Sequence, residues 1–312
     1  MTQDYERMLA AYAQAGGTPE VLKDSTVSHL VVHGNKVIGS HLADGLILEA
    51  EERESGILVR LVVKKGVRIA RPVHLCFGVL PEEGEQEILM QVELQDGSGL
   101  ELLAHCVFPN AVKVRHRMTA EIEVGNGASY SYKEVHFHGE KGGVVVIPRA
   151  RIRIGNEARF LTDFALLHGR AGRLDIEYDA EVRDGSSLQM TAKVYGFGAD
   201  WIRIREAARL LGKGSRGLIK SRIAVRGEAS SQVFSDLTAS APGARGHVDC
   251  VEIVQGRADA KAFPTVGVTH ELAKVTHEAA VGRVDQKQVE TLMARGLEEE
   301  RAIDLVIGGM LK

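Results

Sequence analysis

The side chains best suited to soft-ligand chemistry gather near the C-terminal end of this sequence. Cys250 sits in the run GHVDC with His247 three residues before it, and two pairs follow, His270-Glu271 and His277-Glu278. Neutral imidazole and carboxylate are good ligands for iron and zinc, and a thiolate is softer still. Spacing limits what they can do together: if GHVDC is extended, Cys250 and His247 point to opposite faces, because three is odd. A lone cysteine is also commonly a small buried hydrophobe, and a histidine at a strand end is commonly just hydrogen-bonded. His136 and His138 flank Phe137. Residues two apart on a strand share a face, so these two could clasp a metal or simply occupy one rung. Other chemistries lack their motifs. GKGSRG at Gly212 has the wrong spacing for a phosphate loop, and no GxSxG elbow, HExxH helix or zinc-type cysteine spacing occurs.

The elements that must position these residues are mostly strands. From Ser25 to about Val268 short apolar runs such as HLVVHG, GILVRLVVKKG, EILMQVELQDG and TAEIEVGNG end in Gly or Asp-Gly. A helical interruption is expected at Arg203–Leu211. Gly turns close these runs at Gly97, Gly125, Gly155, Gly185, Gly227 and Gly256, spaced 28, 30, 30, 42 and 29 residues. Such a period indicates a solenoid in which each turn covers its neighbour's apolar face. A β-sandwich would show turn signals every 8–12 residues and no longer period. The 42-residue step coincides with the helix-like stretch and reads as an insertion.

Helices are predicted at both ends. Tyr5, Met8, Leu9 and Tyr12 share one helical face, Gly16-Gly17 stops it, and Thr18-Pro19 can open a second short helix. At the other end Asp285 and Gln288 form a capping-box pattern. Val289, Leu292 and Met293 make an apolar stripe, and Gly296 with Leu297 follows as a stop. Glu298–Glu300 suit a second helix start, Ala302, Ile303 and Val306 form its stripe, and Gly308-Gly309 would end it. Helices of roughly ten residues need something to pack on, so this αα-hairpin reads as a docking piece projecting from the far end of the coil. The organisation expected is 1–24 helical, 25–275 coil and 276–312 helical.

The run THEAAVGRVDQKQVETLMARGL from Thr276 resembles the closing signature of the SufB/SufD family, scaffolds of the SUF iron–sulphur cluster assembly system. KSRIAV at Lys220 and the pair Phe263-Pro264 are further matches, and the resemblance extends back to about Ala120. It implies an all-β, right-handed parallel β-helix core. It places His277 on the terminal histidine at the subunit interface where the cluster forms, and Glu278 on a glutamate of SufB-type members. Cys250 and Cys106 match cysteines that recur in the family. The resemblance therefore implies Cys250, His277, Glu278 and Cys106 as ligands of a transient iron–sulphur cluster, the first three as its metal-binding set. Two departures stand out: Ala258 and Ile154 occupy positions where SufB carries cysteines. The chain is either a scaffold with other ligands or a SufD-like structural subunit.

The implied partners are a SufC-type ABC ATPase, docked by Val289, Leu292, Met293, Gly296, Leu297, Ala302, Ile303 and Val306, and a second copy or a SufB/SufD-like subunit. A cysteine-desulfurase-type sulphur donor fits the same system. The chain itself is not expected to be an enzyme. Composition agrees with this class. A net charge of −3 over 312 residues gives no support for nucleic acid or anionic membrane. Three cysteines without a CxxC pair suit a reducing compartment, the start MTQDYERMLAAYAQAGG lacks a signal-peptide pattern, and a cytoplasmic location is expected. Right-handed β-helices also include polysaccharide-cleaving enzymes, but those need carboxylates across a groove, and no Asp cluster recurs at the rung spacing. A cofactor-free assembly module is the third reading.

Overall fold

The computed structural model describes residues 3–42 and 44–311. Helix α1 (Gln3–Gln14) opens it, followed by a 3-10 turn at Pro19–Leu22 with Pro19 in its first position. Two antiparallel hairpins come next, β1 (His29–His33) with β2 (Lys36–His41) and β3 (Leu46–Arg53) with β4 (Gly56–Val63). The strands that follow are β5 (Val73–Gly78), β6 (Glu83–Leu94), β7 (Gly99–Phe108), β8 (Lys113–Val124) and β9 (Ser129–His138). After them come β10 (Val144–Ile154), β11 (Arg159–His168), β12 (Arg173–Val182), β13 (Ser187–Gly196) and β14 (Trp201–Leu210). The last are β15 (Arg216–Gly227), β16 (Ser230–Ala239), β17 (Arg245–Gly256), β18 (Asp259–Val268) and β19 (Lys274–Gly282). Helices α2 (Gln286–Met293) and α3 (Glu299–Met310) close the chain.

The expected solenoid is present, with about eight turns. Each turn contributes one strand to a ten-stranded sheet, ordered β19-β17-β15-β13-β11-β9-β7-β5-β1-β2, and one to a nine-stranded sheet, ordered β18-β16-β14-β12-β10-β8-β6-β4-β3. Apart from the two hairpins, the pairings are parallel and in register. Alternation decides which side chains enter. In β8 Val114, His116, Met118, Ala120, Ile122 and Val124 face inward, while Lys113, Arg115 and Glu121 face water. No helix among the described residues is long and apolar enough to cross a membrane.

Three sequence expectations change. Arg203–Leu211 is not a helix: all but its last residue lies in β14, with Ile204, Glu206, Ala208 and Leu210 inward. Its Ala- and Arg-rich composition favours helix weakly, and burial of an alternating face between two rungs overrides that preference. The 42-residue glycine step is likewise no insertion. Gly97 and Gly185 lie where the chain passes into the ten-stranded sheet, whereas Gly227 and Gly256 lie at the opposite corner; the first series continues through Gly214 and Gly243. Finally, β19 reaches Gly282, so Thr276–Gly282 belongs to the coil, and α3 runs through Gly308 and Gly309 to Met310.

Helices cover the outer face of the ten-stranded sheet at both ends. Tyr5, Met8, Leu9 and Tyr12 of α1 pack on the outward side chains Val31, Cys76 and Val107. The C-terminal hairpin does not project; it folds back so that Val289, Ala302, Ile303 and Ile307 cover Ala224 and Ile253. Arg226 forms ion pairs with Glu300 and Asp304, and the Tyr195 hydroxyl donates to Asp304 at 2.7 Å.

Corner glycines differ in how much they are constrained. Gly169 and Gly127 both have left-handed φ, +76° and +65°, but a Cβ on Gly169 would stand 1.7 Å from the His138 carbonyl oxygen, while one on Gly127 meets open space. Gly127→Ala is expected to cost ~1 kcal/mol, and Gly169→Ala on the order of 3 kcal/mol or more, because strain and overlap add. Denaturant unfolding of the two variants measures the difference; equal losses would refute the corner geometry.

Candidate functional site

Cys250 lies inside the penultimate turn. Val248, Cys250 and Glu252 of β17 face inward, and the Cys250 thiol is buried. Its surroundings are polar for a solenoid core. Ser221 is its register partner on β15, and the Ser235 hydroxyl from the facing sheet stands 3.6 Å from Sγ. Glu206 adjoins Ser235 on the next rung, and Tyr178 adjoins Glu206. Burial pushes the Cys250 thiol up, while the two serine hydroxyls pull it partly back. Glu206 is almost fully buried, with Oε2 lacking a hydrogen-bond partner among the described residues, and burial raises its carboxyl to about 8. Glu252 accepts from Ser231 at 2.8 Å and is raised by burial to about 7.

His277 sits on β19, the last strand of its sheet. It is in register with Val248 and so shares the inward side with Cys250, one strand across and two residues along. The Cα atoms of such a pair are roughly 8 Å apart. His277 is nonetheless exposed, because among the described residues no further turn covers β18 and β19. The same open end leaves Phe263 stacked on Phe234 yet 42% exposed, and leaves Leu272 63% exposed.

The four expected ligands do not form one site. Glu278 is in register with Asp249 and points to the opposite face from His277, since successive strand residues alternate. Cys106 is on β7, five strands from β17 in the same sheet, a separation of about 24 Å. Only Cys250 and His277 share an end of the coil and a face. His247 points outward and meets the Thr276 hydroxyl at 2.8 Å, and His270 accepts from the Leu272 amide in the turn before β19. Glu206, Ser221 and Ser235 were not anticipated; Ser221 is one turn from Cys250 in sequence and the period could have found it, whereas Ser235 and Glu206 reach it from the facing sheet, about half a turn and one and a half turns away.

Cys106 belongs to a second interior cluster with His116, His136, His138 and Glu134, all buried. Burial holds His116 well below, and Cys106 well above, their ordinary values. His136 and His138 do share a face, as expected, and their rings meet at 3.2 Å.

The hairpin residues divide as well. Val289, Ala302 and Ile303 are buried against the coil and Leu292, Leu297 and Val306 partly so, leaving Met293 and Gly296 exposed, together with Leu305 and Met310. The stripe read as a partner surface is thus largely the hairpin's own attachment face, because short helices bury their apolar side first against the nearest sheet.

Comparison with known proteins finds relatives over nearly the whole chain. The family model described as "SUF system FeS cluster assembly, SufBD core domain" matches residues 83–310. An iron–sulphur cluster assembly SufBD family protein of Methanocaldococcus jannaschii is 33% identical over 99% of this chain and 98% of its own length. One of Pyrococcus horikoshii is 33% identical over 99% and 94%. A chloroplastic SufBD family protein of Arabidopsis thaliana is 22% identical over 80% of this chain and 46% of its own length.

Glu206 makes the site's burial measurable. Its unfolded carboxyl loses a proton near 4.5 and its folded one near 8. Between those values the folded state binds more protons, so stability falls as pH rises through that window. Glu206→Gln is expected to match the wild type near pH 4.5 and to exceed it above pH 8 by up to about 5 kcal/mol. Denaturation midpoints across that range test this; a difference independent of pH would show that Glu206 is not buried as described.

Proposed function

The chain belongs to the SufBD family of SUF-system iron–sulphur cluster assembly proteins, and from that premise we propose that it is the assembly scaffold of its complex, working as a homodimer with a SufC-type ABC ATPase. The observation that carries this reading is the open last turn. β18 and β19 end their sheets with ten and nine residues whose outer backbone groups have no neighbouring strand. A long edge with exposed apolar residues is a template for pairing with another chain, and a twin is the partner that also brings a second His277. The dimer seam then runs beside Cys250, and the pair Cys250 and His277 from each copy supplies thiolate and imidazole to iron as the cluster forms.

The hairpin is the docking piece through its remaining exposed face, Met293, Gly296, Leu305 and their surroundings. Arg226, which anchors Glu300 and Asp304, is on β15, hydrogen-bonded to the strand that carries Cys250. Movement of the ATPase pair is therefore felt two strands from the seam. ATP hydrolysis belongs to that partner, a cysteine-desulfurase-type donor supplies sulphur, and the buried free thiols Cys76, Cys106 and Cys250 suit the cytoplasm.

A SufD-like structural role is favoured by one observation: Ile154 is core-packed and Ala258 lies in a corner, so neither position holds a sulphur-relaying thiol. A polysaccharide-cleaving role is not favoured, since three of the five carboxylates lining a groove of about 890 Å³ on the nine-stranded sheet, Glu121, Glu123 and Glu181, are ion-paired to arginines.

His277→Ala combined with Cys250→Ala is expected to remove most of the iron and sulphide retained after anaerobic reconstitution; unchanged loading would favour the structural role. Met293→Asp with Leu305→Asp should abolish co-purification with the ATPase while the melting temperature stays near that of the wild type. Retained co-purification would place the docking face elsewhere.

A further inference from the structure

The Cys106 cluster is built like a metal centre and lies far from the open end. One ligand atom each from Cys106, His116 and His136 falls within 4.8 Å of the other two, and all three residues are buried. Glu134 Oε1 joins them, 3.8 Å from Cys106 Sγ and 2.7 Å from His136 Nε2. In a tetrahedral zinc centre adjacent donor atoms stand about 3.3–3.7 Å apart, so shifts of about 1 Å close the set.

Three of the four side chains, His116, His136 and Glu134, are also held by a further residue. Gln86 Oε1 meets His116 Nδ1 at 3.0 Å. His138 Nε2 meets His136 Nδ1 at 3.2 Å, and the Tyr132 hydroxyl donates to Glu134 Oε2 at 2.9 Å. Phe108 and Phe164 wall the rings at centroid distances of 5.0 Å from His116 and 4.9 Å from His136. Orienting partners of this kind accompany metal-bound histidines and carboxylates.

Proton counting points the same way. His138 Nδ1 donates to the Arg170 carbonyl at 2.9 Å, so its Nε2 accepts from His136 Nδ1. His136 Nε2 then faces Glu134 Oε1 across 2.7 Å, a contact that needs one more proton, shared by the pair.

We propose that Cys106, His116, His136 and Glu134 form a buried binding site for one divalent transition-metal ion of borderline softness, such as Zn²⁺ or Fe²⁺. The mixed sulphur, nitrogen and oxygen set suits that class. On binding, the thiol proton and the proton shared by Glu134 and His136 leave, and the dication takes their place. The buried charge is unchanged by the exchange, so the low-dielectric interior imposes no new ionic cost. A cleft of about 420 Å³ between α1 and the corner at Pro109–Asn110 is lined in part by His138, whose Nε2 meets His136 Nδ1 at 3.2 Å. The site does not depend on the scaffold reading and is distinct from the Cys250–His277 end.

Anaerobic titration of the full chain with Co²⁺ tests it. One equivalent is expected to bind with thiolate-to-cobalt charge-transfer absorption, which Cys106→Ser abolishes and Cys250→Ala with His277→Ala leaves intact. No such band in the wild type, or a band that survives in Cys106→Ser, overturns the site. If Cys106→Ser does not fold, X-ray absorption of the Zn²⁺-loaded wild type decides: one sulphur and three nitrogen or oxygen neighbours are expected, and any other sulphur count refutes it.

Discussion

Parallel, in-register hydrogen bonding between successive turns is the constraint on which the molecule depends. It sets each residue over the one a turn earlier, so the interior is a set of rows and not a set of independent contacts. One row runs Ala104, Glu134, Phe164, Ala192, Ser221, Cys250, Ala279 along the ten-stranded sheet. Size changes within such a row must be compensated by neighbours, because interiors are close-packed. Outside, the same register brings Arg115 over Glu85, Arg117 over Glu87 and Arg153 over Glu123. Each exposed pair contributes little, but the alternation of sign avoids stacking like charges at those positions.

A stack of this kind has two ends, and this chain treats them differently. At the first turns the antiparallel hairpins β1–β2 and β3–β4 terminate both sheets, and α1 shields the outer face. At the last turn neither sheet is terminated, and apolar and imidazole side chains stand in the open. The contrast leaves the first end covered and the last end with exposed edge strands.

The two interior polar groups differ in the same instructive way. Around Glu134 both carboxylate oxygens have hydrogen-bond partners, and the chain of contacts runs without a gap to the Arg170 carbonyl. Around Cys250 the network is incomplete: one oxygen of Glu206 and one of Glu252 lack partners among the described residues. Buried polar atoms left unsatisfied cost stability, and such a cost persists in a core most readily where a ligand or partner completes it.

The sequence alone determined the repeat, most of the strands that compose it, the helices at each end and the family, because all of these are local patterns or fixed spacings; it read β14 as a helix and left most of β19 outside the coil. The terminal motif singled out His277 but set it outside the coil, on whose last strand it lies. It could not determine which candidate ligands meet. Cys106 was grouped with Cys250 because both match cysteines that recur in the family, yet neighbours within one sheet stand a whole turn apart: Cys106 is one turn before His136, as Ser221 is one turn before Cys250. His116 joins the cluster from the facing sheet, at a distance in sequence that follows no period. The hairpin's role was divided for a related reason. An amphipathic stripe states that a face will be covered, and only the folded chain decides whether its own sheet or another protein covers it.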